Sequence, residues 1–514
     1  MKRLGNILIM SLALMAMMIQ CKKNVEIIPN GVENETEIIL NVNDSKVDVN
    51  TVTGAVRFEN GDVVYVASNG KYVGTLTHNG SHFAGSITGA IENHKLYFYF
   101  LGNVTPYEEL VAGTTTSCSV IISNQAENRP VISYGQSNED YSSSLGFYTA
   151  HFRNQCALVK FNVNTLSTAP TCVVGFNNKV TVDFSGTFTP SKVGEGVINL
   201  GTGSGEKWAI LLEQDALSPG EAFSTDGGYV GTCDEVPAIS KNAFLKEGID
   251  VDVSHDNNGK LRGKFSVSSS KQVYFSKGNL QYIGSAATPY WQFAEEQYER
   301  LGDNGQGSTN TKADRDLFGR GTSGYNGMHP YLTYENNSYY CDKDFEGVNI
   351  NYDWGVYNAI RNGGNTAGLW RTPKGEEFDY IFKDRSGYRF TQVYIDDIFG
   401  LMLFPDGWDA SIYSFAEVNN LNTRLSTPIT SAEWKNQLEP NGAVFLPAAY
   451  WRRGTEIRNN INVGDYWSST GVVNSNGNFM ALRLYFYENN WIWPYDQTSY
   501  YYSGFSVRLV TDVK

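Results

Sequence analysis

Through the first half of the chain, apolar and polar positions alternate in short runs separated by Asn and Gly. Val63-Val64-Tyr65-Val66-Ala67 is followed by Ser68-Asn69-Gly70, and Tyr72-Val73-Gly74-Thr75-Leu76 leads to Asn79-Gly80. Phe83-Ala84-Gly85-Ser86-Ile87 and Lys95-Leu96-Tyr97-Phe98-Tyr99-Phe100 come next. A period of two marks strands with one wet face, and Asn-Gly between such runs marks tight hairpins. A second strand-rich block begins near Ser144 and holds Cys156–Val163, Lys179–Phe184 and Trp208–Leu212. No stretch of this half sustains the 3.6-residue period of an amphipathic helix. The pattern predicts two tandem antiparallel β-sandwich domains, over residues 22–140 and 141–265.

The second half reads differently. Trp208 is the only tryptophan before residue 270, and the other nine fall between Trp291 and Trp493. The polar segment Ser254–Gln272 is the expected junction, which places a third domain over residues 266–514. One helix is predicted after Trp370-Arg371-Thr372-Pro373. Thr372 is its expected cap, Pro373 suits its first turn, and Glu376 and Glu377 favour the positive end of the helix dipole. Phe378, Ile381 and Phe382 supply its buried side. Tyr466–Thr470 and Ala481–Phe486 read as antiparallel core strands, and Gly504–Val510 as the last strand of the same sheet.

Composition sharpens this picture. With 51 Gly, 32 Tyr and 27 Phe, the chain is rich in strand and turn formers. A formal charge of −14 leaves no basic surplus to meet phosphates, so a nucleic-acid partner is not expected. The N-terminus has a basic start, Met1-Lys2-Arg3, then an apolar run from Ile7 to Ile19 that ends at Cys21. That run has about 13 apolar-rich residues where a membrane-spanning helix needs roughly 20, so it reads as a secretory signal. A cysteine at the cleavage point is the expected site of a diacylglyceryl anchor, and residues 1–21 form the signal with lipidated Cys21. The alternative is an ordinary secretion signal with an incidental cysteine. Cys118, Cys156, Cys172 and Cys233 are widely spaced, and both disulfides and buried thiols suit them in an exported protein. With Cys341 they form neither a CxxC pair nor a short His/Cys cluster of the kind zinc needs.

The signal resembles bacterial lipoprotein signals in the loose form of the Bacteroides group, where Gln precedes the Cys. The first half resembles fimbrillin-like (Mfa-like) proteins. Arg57-Phe58-Glu59-Asn60-Gly61-Asp62-Val63-Val64-Tyr65-Val66 looks like that family's Phe-x-x-Gly-Asp turn into a strand. Cys156-Ala157-Leu158-Val159-Lys160-Phe161 looks like the strand that opens its second sandwich. The resemblance implies an adhesin or pilus scaffold, with assembly by strand donation after proteolysis at an arginine. Arg57 is the counterpart, or else a surface arginine that is never cut. From Lys271 to Lys514 the chain is similar to a domain of Bacteroides surface lipoproteins, the major-paralogous type. Asp316–Gly324, Trp354–Ile360, Gly363-Gly364-Asn365, Trp370–Pro373, Gly442–Ala449, Tyr466–Thr470 and Gly504–Val510 carry this likeness in order. It implies an α+β C-type-lectin-like fold, in the broad form shared with formylglycine-generating enzymes. Where the family pattern has Trp, this chain has Arg320, which implies a different local surface.

The usual catalytic groups are missing from the sequence. The oxidase relatives of the lectin-like fold rely on active-site cysteines and copper, and Cys341 stands alone in this half. His329, the only histidine there, precedes Pro330 in a Gly/Asn/Tyr-rich loop, and no G-x-S-x-G elbow accompanies it. His78 and His82 are four apart in a region of strand and turn, so they do not share a helix face for a metal. Gly302–Gly307 lacks the carboxylate ladder of an EF-hand, and Glu439-Pro440-Asn441 reads as a turn before a core strand. Asp396, Asp397, Asp406 and Asp409 read as loop and cap residues. No enzyme activity, cofactor or metal is expected. Aromatic display is the better lead. Trp491, Trp493, Tyr495, Tyr500, Tyr501 and Tyr502 form a polar-aromatic insertion, and Tyr339 and Tyr340 sit in another loop. Such rings suit a glycan or a protein partner; alternatively they seal loops onto the domain's own core. The expected function is a lipid-anchored outer-membrane or cell-surface adhesin, fimbria-associated or tip-like. The alternative is a glycan-binding lipoprotein of a nutrient-uptake system.

Overall fold

The computed structural model describes residues 35–42, 46–47, 56–88, 95–126, 128–137, 147–225, 229–302, 310–332, 341, 343–458, 462–473, 476–477, 479–488, 491–500 and 502–514. Cys21, Tyr339, Tyr340 and Tyr501 lie outside the described residues.

Alternation in the first half does produce hairpins. Val63–Ser68, Lys71–His78 and Phe83–Thr88 pair in succession, antiparallel. They do not end as an open sandwich. Glu35–Val42 pairs antiparallel with Phe83–Thr88 on one side and parallel with Tyr148–Asn154 on the other. Ile132–Ser137 and Tyr97–Leu101 complete the ring, so seven strands close into a barrel. Closure removes both free edges, which an open sheet would have had to protect.

The second unit is a seven-stranded sheet in the order Ile198–Thr202, Pro170–Val173, Gly220–Ser224, Tyr229–Cys233, Phe244–Asp256, Cys156–Thr165, Gly205–Leu212. A three-stranded sheet of Thr187–Ser191, Lys179–Asp183 and Ser117–Ile121 accompanies it. Residue 140 lies outside the described residues, and the strands on either side cross it. Ser117–Ile121 joins Lys179–Asp183, whereas Tyr148–Asn154 belongs to the barrel.

The strand Cys156–Thr165 shows why the sequence there is so continuously apolar. Cys156 and Leu158 face the core that the sheet shares with the barrel, together with Ile210 and Leu212. Ala157, Val159, Phe161 and Val163 face a second core on the other side. A strand buried on both faces cannot alternate with polar residues. Cys118, Cys156, Cys172 and Cys233 are buried thiols, and no disulfide joins any described cysteines. Burial pushes the thiols of Cys118, Cys156 and Cys233 up to about 12.

The chain crosses into the C-terminal unit through Asn257–Gly259, between Phe244–Asp256 and Lys260–Ser266. Lys260–Ser266 pairs with Gln272–Ser276, which also pairs with Val510–Asp512 at the far end of the chain. This unit mixes small antiparallel sheets with short helices, the α+β class expected. Its helix is Gly375–Lys383, two residues later than Thr372 would have capped. The Glu377 carboxylate takes the cap's place by accepting the Lys374 amide at 2.9 Å, while Arg371 holds it from the other side. Phe378, Ile381 and Phe382 are buried, as predicted. Among the described residues no helix is long and apolar enough to cross a membrane.

Trp291, Trp354, Trp370, Trp434 and Trp467 of this half are core. Trp354, Trp370 and Trp467 pack with Phe318 and Phe505. Trp370 Nε1 donates to Gly363 O at 2.8 Å, and Trp467 Nε1 donates to Phe318 O at 2.7 Å. Gly355 is needed because a Cβ there would lie 2.7 Å from the Trp370 backbone. Arg320 is fully buried, not a surface variation. Its guanidinium donates to Cys341 O and Lys343 O at 2.8 and 2.7 Å, and to Ser469 O at 2.5 Å. It lies 4.1 Å from the centre of the Phe345 ring. Arg320 thus ties the segment around Cys341 to the strand Val463–Val473.

Candidate functional site

Val463–Val473, Phe479–Tyr487 and Trp491–Ser499 form a three-stranded antiparallel sheet. The polar-aromatic insertion is thus largely a strand at the edge of this sheet. Its asparagines and prolyl-tyrosine stretch hide the apolar alternation that would have marked it. Gly504–Val510 joins that sheet through a bridge between Ser506 and Tyr466 and not as a full strand. Ser503–Gly504 pairs with Trp451–Arg453, and Val510–Asp512 pairs with Gln272–Ser276.

Alternation along Phe479–Tyr487 sorts its side chains. Leu482, Leu484 and Phe486 are buried, and Arg483, Tyr485 and Tyr487 are half-buried on the opposite face. Tyr485 stands across from Trp493 on one neighbour and from Asp465 on the other. Trp493 stacks on Tyr485 and Tyr487, with ring centres 5.2 and 5.9 Å apart. Beyond this face Tyr500 and Tyr502 stack on each other at 5.1 Å with planes 5° apart. Between the two stacks lies a cleft of about 280 Å³. Trp451, Tyr485, Tyr500 and Tyr502 give it aromatic walls, and Ser499 and Ser503 add hydroxyls. Tyr500 is 46% exposed, so its ring does not seal a core.

Charge enters at the floor and at one rim. Asp465 is buried and forms an ion pair with Arg483. Burial outweighs that partner and pushes the Asp465 carboxyl up to about 6. The Arg483 guanidinium also lies 4.4 Å from the Tyr485 ring centre and 5.0 Å from that of Phe505. Arg453 is exposed at the rim.

Of the residues expected to bind, the structure brings Tyr500 and Tyr502 to this cleft, and Trp493 stands behind its wall, stacked on Tyr485. Trp491 and Tyr495 lie in the same edge strand, but their side chains fall outside the described residues. Trp451, Tyr485, Arg453, Arg483 and Asp465 were missed. The period-two pattern around Arg483-Leu484-Tyr485-Phe486 was the signal for two of them; nothing local marks Trp451 or Asp465 as their neighbours. Arg57 ends a two-residue strand, Val56–Arg57, parallel to Lys46–Val47.

Elsewhere the polar groups serve the fold. Asp406 accepts from Ser266, Gln272 and Arg385, and Asp409 accepts from Ser411. Glu439 and Asn441 lie in a 3-10 turn before Val444–Pro447, and Glu439 accepts from Gln297 at 2.7 Å. His78 Nδ1 bonds Glu59 O, and His329 is exposed and stacks on Tyr331. Among the described residues no three His, Cys, Asp or Glu side chains gather as a metal site. A larger cleft, about 430 Å³, lies where all three units meet, between Tyr107, Ile121, Ile412 and Asn441. No charged side chain lines it.

No family model matches the chain, and no curated protein matches it. Among solved structures it is similar to a candidate cell adhesion protein from Bacteroides uniformis, at 13% identity and a TM-score of 0.28. That match covers 43% of this chain and 99% of the other. It is also similar to a fimbrial assembly protein from Parabacteroides distasonis (13% identity, 48% and 96% covered, TM-score 0.24). The fimbrial anchor protein Mfa2 from Porphyromonas gingivalis is a third (12% identity, 38% and 76% covered, TM-score 0.22). At such identities and scores these likenesses assign neither a ligand nor an activity.

Proposed function

We propose that this chain is a non-catalytic cell-surface adhesin whose C-terminal unit binds a saccharide between the two aromatic stacks. The observation that carries this reading is the cleft itself. Sugar rings present apolar C–H faces ringed by hydroxyls. Tyr and Trp walls with serine hydroxyls answer both, at low cost in side-chain entropy. The volume falls just below the roughly 300 Å³ at which ligand pockets usually begin. It suits one or two rings of a longer chain, with the open sides leaving the chain free to continue. The two N-terminal β units act as the stalk, held to the outer membrane by the lipid on Cys21.

A glycan array probed with the full-length chain tests this. Trp451→Ala and Tyr502→Ala each reduce binding about tenfold, the equivalent of about 1.4 kcal/mol. Binding that neither substitution weakens would remove the cleft from the account. Binding to one storage or plant polysaccharide, with no fimbrial protein in pull-downs from the cell surface, would favour a role in nutrient uptake.

Assembly into a fibre is a second reading, favoured by the place of Glu35–Val42. This strand lies between two barrel strands and precedes Arg57. Cleavage there would detach it and leave its slot to a strand donated by another subunit. N-terminal sequencing of the surface-borne protein distinguishes the outcomes: a new terminus after Arg57 supports assembly, and a blocked Cys21 terminus opposes it.

A further inference from the structure

We propose that the cleft selects acidic saccharides, with the Arg453 guanidinium as the counter-charge to a uronate-type carboxylate. The inference rests on the saccharide reading above and names the ligand's chemical class. Three formal charges line the cleft: Arg453, Arg483 and Asp465. Arg483 and Asp465 neutralise each other at the floor. Arg453 is left at the rim, exposed, on the strand Trp451–Arg453 that carries the aromatic wall. Its cross-strand neighbour Glu456 is engaged by Arg458 at 2.5 Å, and among the described residues no carboxylate pairs with Arg453.

A planar guanidinium matches a carboxylate with two parallel hydrogen bonds, which a neutral hydroxyl cannot reproduce. The overall charge of −14 opposes an anionic ligand at long range. At physiological ionic strength, however, charges more than about 8 Å away are largely screened, so the local cation decides. Arg453 backbone pairs with Ser503, whose neighbour Tyr502 forms one aromatic stack. The charge is therefore fixed beside the stacking surface, where a ring lying on Tyr502 would present its substituents.

Matched probes separate this inference from its premise. Uronate oligosaccharides (galacturonate, glucuronate and mannuronate chains) are offered to the full-length chain as free acids and as methyl esters, which keep the ring and remove the charge. Calorimetry is expected to show the acid form of at least one series binding about tenfold more tightly than its ester. Arg453→Gln is expected to erase that difference by bringing acid binding down to the level of the ester, and Tyr500→Ala to weaken both forms. Equal binding of acid and ester overturns the acidic preference but leaves the saccharide reading standing. So does a preference that survives Arg453→Gln. Absence of binding across the whole panel overturns the acidic preference, and the saccharide reading then stands or falls on the glycan array.

Discussion

At Asp465, burial outweighs the attraction of the Arg483 guanidinium and raises the carboxyl pKa from 3.8 to about 6. Between those pH values the folded chain keeps a proton that the unfolded chain has lost. Linkage then fixes the sign: this group's contribution to stability is fully present below the lower value and is lost as pH rises through the higher one. Asp465→Asn removes the titration. The melting temperature of the variant relative to the parent is expected to rise between about pH 4 and pH 6 and to level off above. A difference that stays constant across that range would mean that Asp465 ionises at its ordinary value. Arg320 makes a contrasting case, since its guanidinium donates to backbone carbonyls and lies against an aromatic ring. Arg320→Met keeps most of the volume and abandons the carbonyls of Cys341, Lys343 and Ser469. Chemical denaturation is expected to show a loss on the order of 3 kcal/mol, from buried acceptors left unpaired. A loss below about 1 kcal/mol would show that water replaces the guanidinium there.

At the scale of elements, the strand Cys156–Thr165 ties the barrel to the second sheet, because its alternate residues enter two different cores. Leu158→Ala is expected to cost about 2–5 kcal/mol. The barrel and the sheet should melt together in calorimetry, since Leu158, Ile210 and Leu212 share one cluster with Phe98 and Phe100. Two separate transitions in this half would contradict the shared core. This coupling was hidden in the sequence, although the strands themselves were not. Hairpins such as Val63–Ser68 with Lys71–His78 are written in local alternation and turns. Barrel closure depends on Glu35–Val42 meeting Tyr148–Asn154 more than 100 residues later, and no local pattern reports such a pairing. The edge strand Trp491–Ser499 is hidden in the sequence because its polar residues break the alternation. The helix was legible through its buried Phe378, Ile381 and Phe382. Its start was not, because a glutamate six residues past Arg371 both caps the helix and binds that arginine. Within the cleft, Tyr500 and Tyr502 were legible as displayed aromatics. Trp451 and Asp465 become neighbours of those rings only through tertiary packing.

Across the whole molecule, the second sheet and the C-terminal unit meet at Arg262. Its guanidinium forms ion pairs with Glu195 and Glu221 and lies 4.3 Å from the centre of the Phe223 ring. Asn199 adds a hydrogen bond to Asn436 at 2.9 Å, and Tyr107 donates to Ala410 O at 3.3 Å. Both glutamates are about half exposed, so Arg262→Ala is expected to cost less than about 1 kcal/mol of global stability. Its effect should be local: faster tryptic cleavage at Lys260, next to the crossing between units, with the melting temperature nearly unchanged. Unchanged cleavage would mean that the contact between units does not depend on this residue. The crossing has a further, mechanical meaning. Lys260 lies at the open end of the hairpin formed with Gln272–Ser276, opposite Ser276. Tension applied between the N-terminal β units and a ligand held in the cleft enters at that open end. It peels the rungs apart one at a time, the weak direction of a hairpin, where shear would load them together. The Arg262 clamp stands in parallel with the first rungs, so it shares the pull with them and raises the force at which the hairpin opens.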